Sequence, residues 1–128
     1  MASVYDSPAV REFITFGLRL IGKFGEFRDR EGLFAVNDEI NELQLQLRAT
    51  ESALQDEVVQ KGVEPAGFVL STSLAVAQNL KIRFDFFCLK LHDVHQPQEF
   101  KTIVDTIWTH DNLKELDQRL TSLRAALM

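Results

Sequence analysis

Apolar residues recur along this chain at three- and four-residue intervals, and nowhere do they alternate with polar residues long enough to read as a strand. Ser7-Pro8 opens the first run, offering a capping hydroxyl and a proline suited to a first helical turn. Val10, Phe13, Ile14, Gly17, Leu20, Ile21, Phe24 and Phe27 then follow at helical spacing. Phe16 and Leu18 widen this stripe, so the first helix is expected to be touched on two sides. Gly17, Gly22 and Gly25 each weaken it by roughly 1 kcal/mol relative to Ala, and such glycines either admit close backbone approach or mark a bend. Residues 28–36 read as the first connection.

Asn37 is the expected cap of a second helix, with Asp38 and Glu39 placed where the helix dipole favours anions. Ile40, Leu43, Leu47, Leu54 and Val58 make its core face, and Thr50 interrupts that seam. Gln44, Gln46, Arg48, Glu51, Gln55 and Asp56 form a solvated remainder, and Lys61-Gly62 ends the helix. A third helix starts near Pro65 or Phe68 and runs to about His92. Leu70, Leu74, Ala77, Phe84, Cys88 and Leu91 share one face, and Val69, Val76, Leu80, Phe86 and Phe87 cover much of the rest. An all-round apolar helix is expected at the centre of its fold. Gln96-Pro97 breaks it. A short fourth helix, about 98–108, carries Phe100, Ile103, Val104 and Ile107 and ends at the only Trp. A fifth, about 111–127, repeats Leu113, Leu116, Leu120, Leu123 and Leu127 as a buried seam, which marks Met128 as the expected end of a domain.

The expected fold is therefore all-α: one domain, 1–128, in which four long helices and one short helix pack as an antiparallel bundle. Its expected core includes Leu43, Leu47, Leu74, Phe84, Leu91, Trp108, Leu116 and Leu120. A chain of 128 residues, 45% hydrophobic and 26% charged, can bury such a core without disulfides or metals. Ten Phe against one Tyr and one Trp is a set of rings without polar handles, which want burial or an apolar partner. The net charge of -5 argues against nucleic acid as a partner. No apolar run reaches the roughly 18 residues of a membrane span. Tyr5, Asp6, Arg11 and Glu12 interrupt any secretory signal pattern, and the single cysteine fits a reducing compartment, so the expected location is cytoplasmic.

Candidate chemistry is sparse. Cys88, His92 and His95 lie one and two turns apart, a spacing that puts metal-binding residue types on one helical face, but no fourth ligand stands at a diagnostic distance. Cys88 with His92 has the composition of a nucleophile and base, yet the apolar surround of Phe84, Phe87 and Leu91 raises a thiol pKa. Asp85, Asp93, Glu99, Asp105 and Asp111 form no helical metal-binding repeat and read as a solvated face, as does the Glu115 to Arg119 pair. Neither a metal nor a cofactor is expected, and no catalytic residue stands out.

The functional suspect is the first helix. Phe13, Phe16, Leu20, Phe24 and Phe27, with Arg11, Arg19 and Lys23 alongside, form a possible interaction or membrane face. In a resting bundle these rings are expected to fill the core instead. A third class of function, a small-molecule site lined by Phe residues near Trp108, calls for a cavity there.

The segments Ala9-Val10-Arg11-Glu12-Phe13-Ile14-Thr15-Phe16-Gly17-Leu18-Arg19-Leu20 and Glu31-Gly32-Leu33, the helices Asn37 to Leu54 and Leu74 to Leu91, and the ending Ile107-Trp108, Leu113-Lys114-Glu115-Leu116-Asp117-Gln118-Arg119-Leu120 and Leu123-Arg124 resemble the N-terminal helical domains of fungal NLR-like (STAND) proteins, the HeLo-like and NACHT-associated domains. The resemblance covers nearly the whole chain and rests mostly on apolar spacing, with the Trp-then-Leu-Arg ending its most specific part. It implies a signalling or effector module that associates with itself or with another helical domain, and that in some relatives perturbs membranes to kill the cell. In that family a nucleotide-binding domain usually follows. This chain has no phosphate-binding loop of the form GxxxxGK[ST] of its own.

Overall fold

The structure is a computed structural model that describes residues 7–29, 37–61, 67–94 and 96–127. Five helices account for nearly all of these: α1 (Pro8–Asp29), α2 (Asn37–Lys61), α3 (Gly67–Leu91), α4 (Pro97–Ile107) and α5 (His110–Leu127). The all-α bundle of four long helices and one short one is thus present. The connection at 30–36, Gly62, Pro65, His95 and Met128 lie outside the described residues.

Local chemistry explains where the helices begin and end. The Ser7 hydroxyl accepts a bond from the Val10 amide at 3.1 Å, as an N-cap should. It also donates to a Glu57 carboxylate oxygen at 2.7 Å, tying the start of α1 to the end of α2. Pro97 sits in the first turn of α4, where its missing amide costs nothing. The Trp108 amide closes α4 on the Val104 carbonyl, and the Thr109 hydroxyl then caps α5 by accepting from the Asn112 amide at 3.1 Å.

Cross-helix contacts fix the directions. Lys23 on α1 reaches Glu39 near the start of α2, while Ser7 meets Glu57 near its end, so α1 and α2 run antiparallel. Gln44 and Arg48 of α2 both bond Asp85, late in α3, so α2 and α3 run antiparallel as well. Gly17 of α1 lies against Leu120 of α5, and Phe24 lies against Trp108 just before it, so α5 runs opposite to α1.

The core is one continuous cluster drawn from every helix. At the C-terminal end of α1 it is aromatic. Phe24 stacks on Trp108 with centroids 3.9 Å apart, and Phe84 and Phe87 meet both rings. Phe27 joins edge-on to Phe24. Further along α1, Gly17 permits close packing of α5: a Cβ there would stand 2.6 Å from a Leu120 methyl. Gly22 and Gly25 face open space, so only the first of the three glycines is needed for contact.

Three expectations change. The seam of α2 continues through Glu51, which is buried, because the position four after Leu47 and three before Leu54 is 51. Thr50 lies beside that seam and donates to the Gln46 carbonyl. Leu74 and Leu116 sit half-buried on the margin of the core rather than inside it. Finally, α3 is not enclosed. It packs along α2 and touches α5 only sparingly, and Phe86 faces outward.

Candidate interaction surface

Where α3 and α5 diverge, they leave an open groove of about 570 Å³. Its floor is Val76 and Leu80 with the half-buried Leu116, and its rim carries Ile82, Phe86, Arg83, Glu115 and Arg119. The apolar rim residues belong to the outward face of α3. Ile82 is 68% exposed, Phe86 47% and Leu89 64%, at successive four- and three-residue steps. That is the spacing of a helix seam with no helix on it. Phe86 carries Lys90 over its ring at 5.3 Å, and Arg83 stands 5.9 Å from the centroid of Trp108. Arg119 pairs with Glu115 at 2.8 Å across one turn of α5.

A second outward stripe lies on α2. Leu45 is 65% exposed and Val59 77%, and the small residues Ala49 and Ser52 between them are also exposed. Among the described residues, every large apolar side chain exposed to this degree lies on α2 or α3.

The first-helix residues are placed differently. Phe13, Phe16, Leu20, Phe24 and Phe27 are all buried, pointing into the bundle. Any lipid- or partner-facing role for them requires α1 to leave the four helices it touches. Of the expected core set, Leu43, Leu47, Phe84, Leu91, Trp108 and Leu120 are buried. The space around Trp108 is filled by Phe24, Phe84 and Phe87, so these rings line no open site there.

The titratable candidates do not converge. Cys88 is half-buried in the α2–α3 crevice, and burial, assisted by the nearby Asp85 carboxylate and offset by Arg48, pushes its thiol up to about 11. A thiol in that state is a poor nucleophile at neutral pH. His92 is exposed, and His95 lies outside the described residues. Asp85 accepts from Gln44 at 2.8 Å and from Arg48 at 3.4 Å, while Asp93 and Glu99 are exposed around one surface crevice with Lys90, and Asp105 and Asp111 are exposed outside it. Among the described residues, no three His, Cys, Asp or Glu side chains gather as metal ligands would. No described helix is long and apolar enough to cross a membrane.

The sequence carries a signal for both outward stripes, but apolar spacing alone does not separate them from core faces. On α3 that signal is apolarity on all sides, and on α2 it is a second three-four repeat, of apolar and small residues, opposite the first. Compared with known protein families, with curated proteins and with solved structures, the chain matches none.

Proposed function

We propose that this protein is a non-enzymatic helical association domain of the signalling or effector type, which works by docking a helix against the α3–α5 groove. One observation carries the reading: an apolar seam at helical spacing, Ile82, Phe86 and Leu89, stands exposed beside an apolar-floored groove. Exposed apolar surface of that kind marks interaction sites in soluble proteins, and helix-in-groove recognition uses anchors at this spacing. The resemblance to HeLo-like N-terminal domains of fungal NLR-like proteins supports the same class, in which a helical domain passes on a signal by self-association or by pairing with another helical domain. Cytoplasmic action accords with the single, half-buried cysteine.

Sedimentation velocity across a wide concentration range tests it. A weight-average mass that rises with concentration, and stays at the monomer value when Ile82→Gln and Leu89→Gln are combined, is the expected result. A chain that stays monomeric throughout and binds no helical partner would contradict the proposal.

A further inference from the structure

We infer that the helix received by the α3–α5 groove is α2 of a second copy of this chain, laid antiparallel to α3. This rests on the reading of the groove as a helix-docking surface. It adds the identity of the occupant, argued from charge, length and side-chain size.

Charge selects α2. Within its helix α3 carries three basic residues against one acidic, in a chain that is acidic overall. Arg83 and Lys90 flank its exposed apolar seam. The α2 helix carries six acidic residues against two basic. Two of the acids, Glu42 and Asp56, are exposed and continue its outward stripe, one turn before Leu45 and one turn after Ser52. An α3 face set against another α3 brings together two stripes flanked by the basic Arg83 and Lys90, and α2 against α2 brings together two stripes that carry the acidic Glu42 and Asp56. Only α2 against α3 places unlike charges together, and like-charge juxtaposition is a strong discriminator between partners.

Length and bulk agree. The outward stripes 45–59 and 75–89 each extend over about 21 Å of helix. Set antiparallel, Leu45 meets Leu89, Ala49 meets Phe86, Ser52 meets Ile82 and Val59 meets Ala75. The two large middle residues of α3 thus fall on the two small residues of α2, and Val59 falls on a small residue of α3, as interdigitated packing requires. Ser52 loses little by this, because a serine on a helix can turn its hydroxyl back to the carbonyl one turn earlier. In the same register Glu42 comes to Lys90. Asp56 lies nearly one and a half turns, roughly 7.5 Å along the axis, from Arg83, whose long side chain leans toward the start of α3 and so toward that carboxylate. The residues opposed across this contact differ on the two copies, so it is heterologous: each copy offers α2 and receives another α2 in its groove. Repetition builds a ring or an open filament rather than a closed twofold dimer. A contact of two heptads is at the small end of specific interfaces, so assembly is concentration-dependent.

The test uses Asp56→Arg, Arg83→Glu and the two combined in one chain, each followed by sedimentation velocity and thermal unfolding. Both altered positions are exposed, so the folded state should persist. Each single variant is expected to weaken self-association about tenfold or more, and the combined variant to recover most of it. If Arg83→Glu weakens association while Asp56→Arg does not, the groove docks a helix but α2 is not that helix, and the inference fails alone. Two weakened single variants with no recovery in the combined chain also overturn it. A wild-type chain that never associates with itself overturns the inference, and it overturns the docking role as well if the chain also binds no other helical partner.

Discussion

Phe84 and Phe86 stand two positions apart on α3 and have opposite surroundings. Phe84 is fully buried, with Phe24, Phe87 and Trp108 packed around it. Phe86 is 47% exposed on the rim of the α3–α5 groove, with Lys90 over its ring. The closed aromatic cluster needs nothing beyond the chain: Phe27, Phe84 and Phe87 meet their neighbours edge-on or tilted at separations suited to aromatic pairs, and Phe24 stacks closely on Trp108. The open flank leaves apolar surface in water, which is tolerable only in small amounts unless something covers it. The same residue type therefore serves stability in one place and, under the proposed docking role, association in the other. Relative exposure, not apolarity, separates the two roles.

The contrast can be broken first at its closed side. Phe84→Ala should cost about 3–5 kcal/mol of folding stability, read by urea denaturation, because the surrounding rings cannot collapse into the gap. A next smaller effect lies at the α1–α5 contact. Gly17→Ala forces a methyl to 2.6 Å from the buried Leu120 side chain and should destabilise by about 1–3 kcal/mol. Its control, Gly22→Ala, has open space around it and should instead stabilise by about 0.5–1 kcal/mol. At the open flank, Ile82→Gln with Leu89→Gln should leave unfolding within about 0.5 kcal/mol of wild type, since both side chains are mostly in solvent. A large loss there would mean that the flank is part of the core after all.

Cys88 sharpens the comparison with the smallest effect. It lies on the flank of α3 that α2 covers, and its thiol is pushed up to about 11, mainly by that burial. Folding favours the protonated thiol, so its contribution to stability is complete at neutral pH and is lost as pH rises through about 11. Alkylation of the folded chain near neutral pH should be slow, with roughly a hundredfold less thiolate than an unburied cysteine. Denaturation should restore the ordinary rate.

Much of this architecture is legible in the residues. Ser7, Pro97 and the Trp108 break locate helix ends to within a residue or so, because capping groups and a missing amide act locally. The leucine repeat of α5 identifies four of its buried positions and places Leu116 only at the margin. Partner choice is harder to read. Periodicity shows that a helix has an apolar side but not which neighbour meets it, so the all-round apolarity of α3 reads as enclosure when one flank is open. The Phe-rich first helix misleads in the other direction: its rings attract a surface role, yet all five candidates point inward. Glu51 is a matter of register, where a polar residue occupies a buried step of an otherwise apolar seam. Ala49 and Ser52 are inconspicuous in the sequence, and the docking role inferred for them rests on the exposure of Phe86 and Ile82, which periodicity alone does not give.

The central claim, that the outer face of α3 docks a helix of a second copy while the aromatic cluster stays closed, is tested most directly by a methyl NMR dilution series on the full chain. The account predicts that signals from Ile82, Leu89 and Leu116 move as concentration rises, while those from Leu20 and Leu120, inside the bundle, hold still. Concentration-independent signals at Ile82 and Leu89, or shifts confined to the interior positions of α1 and α5, would contradict it.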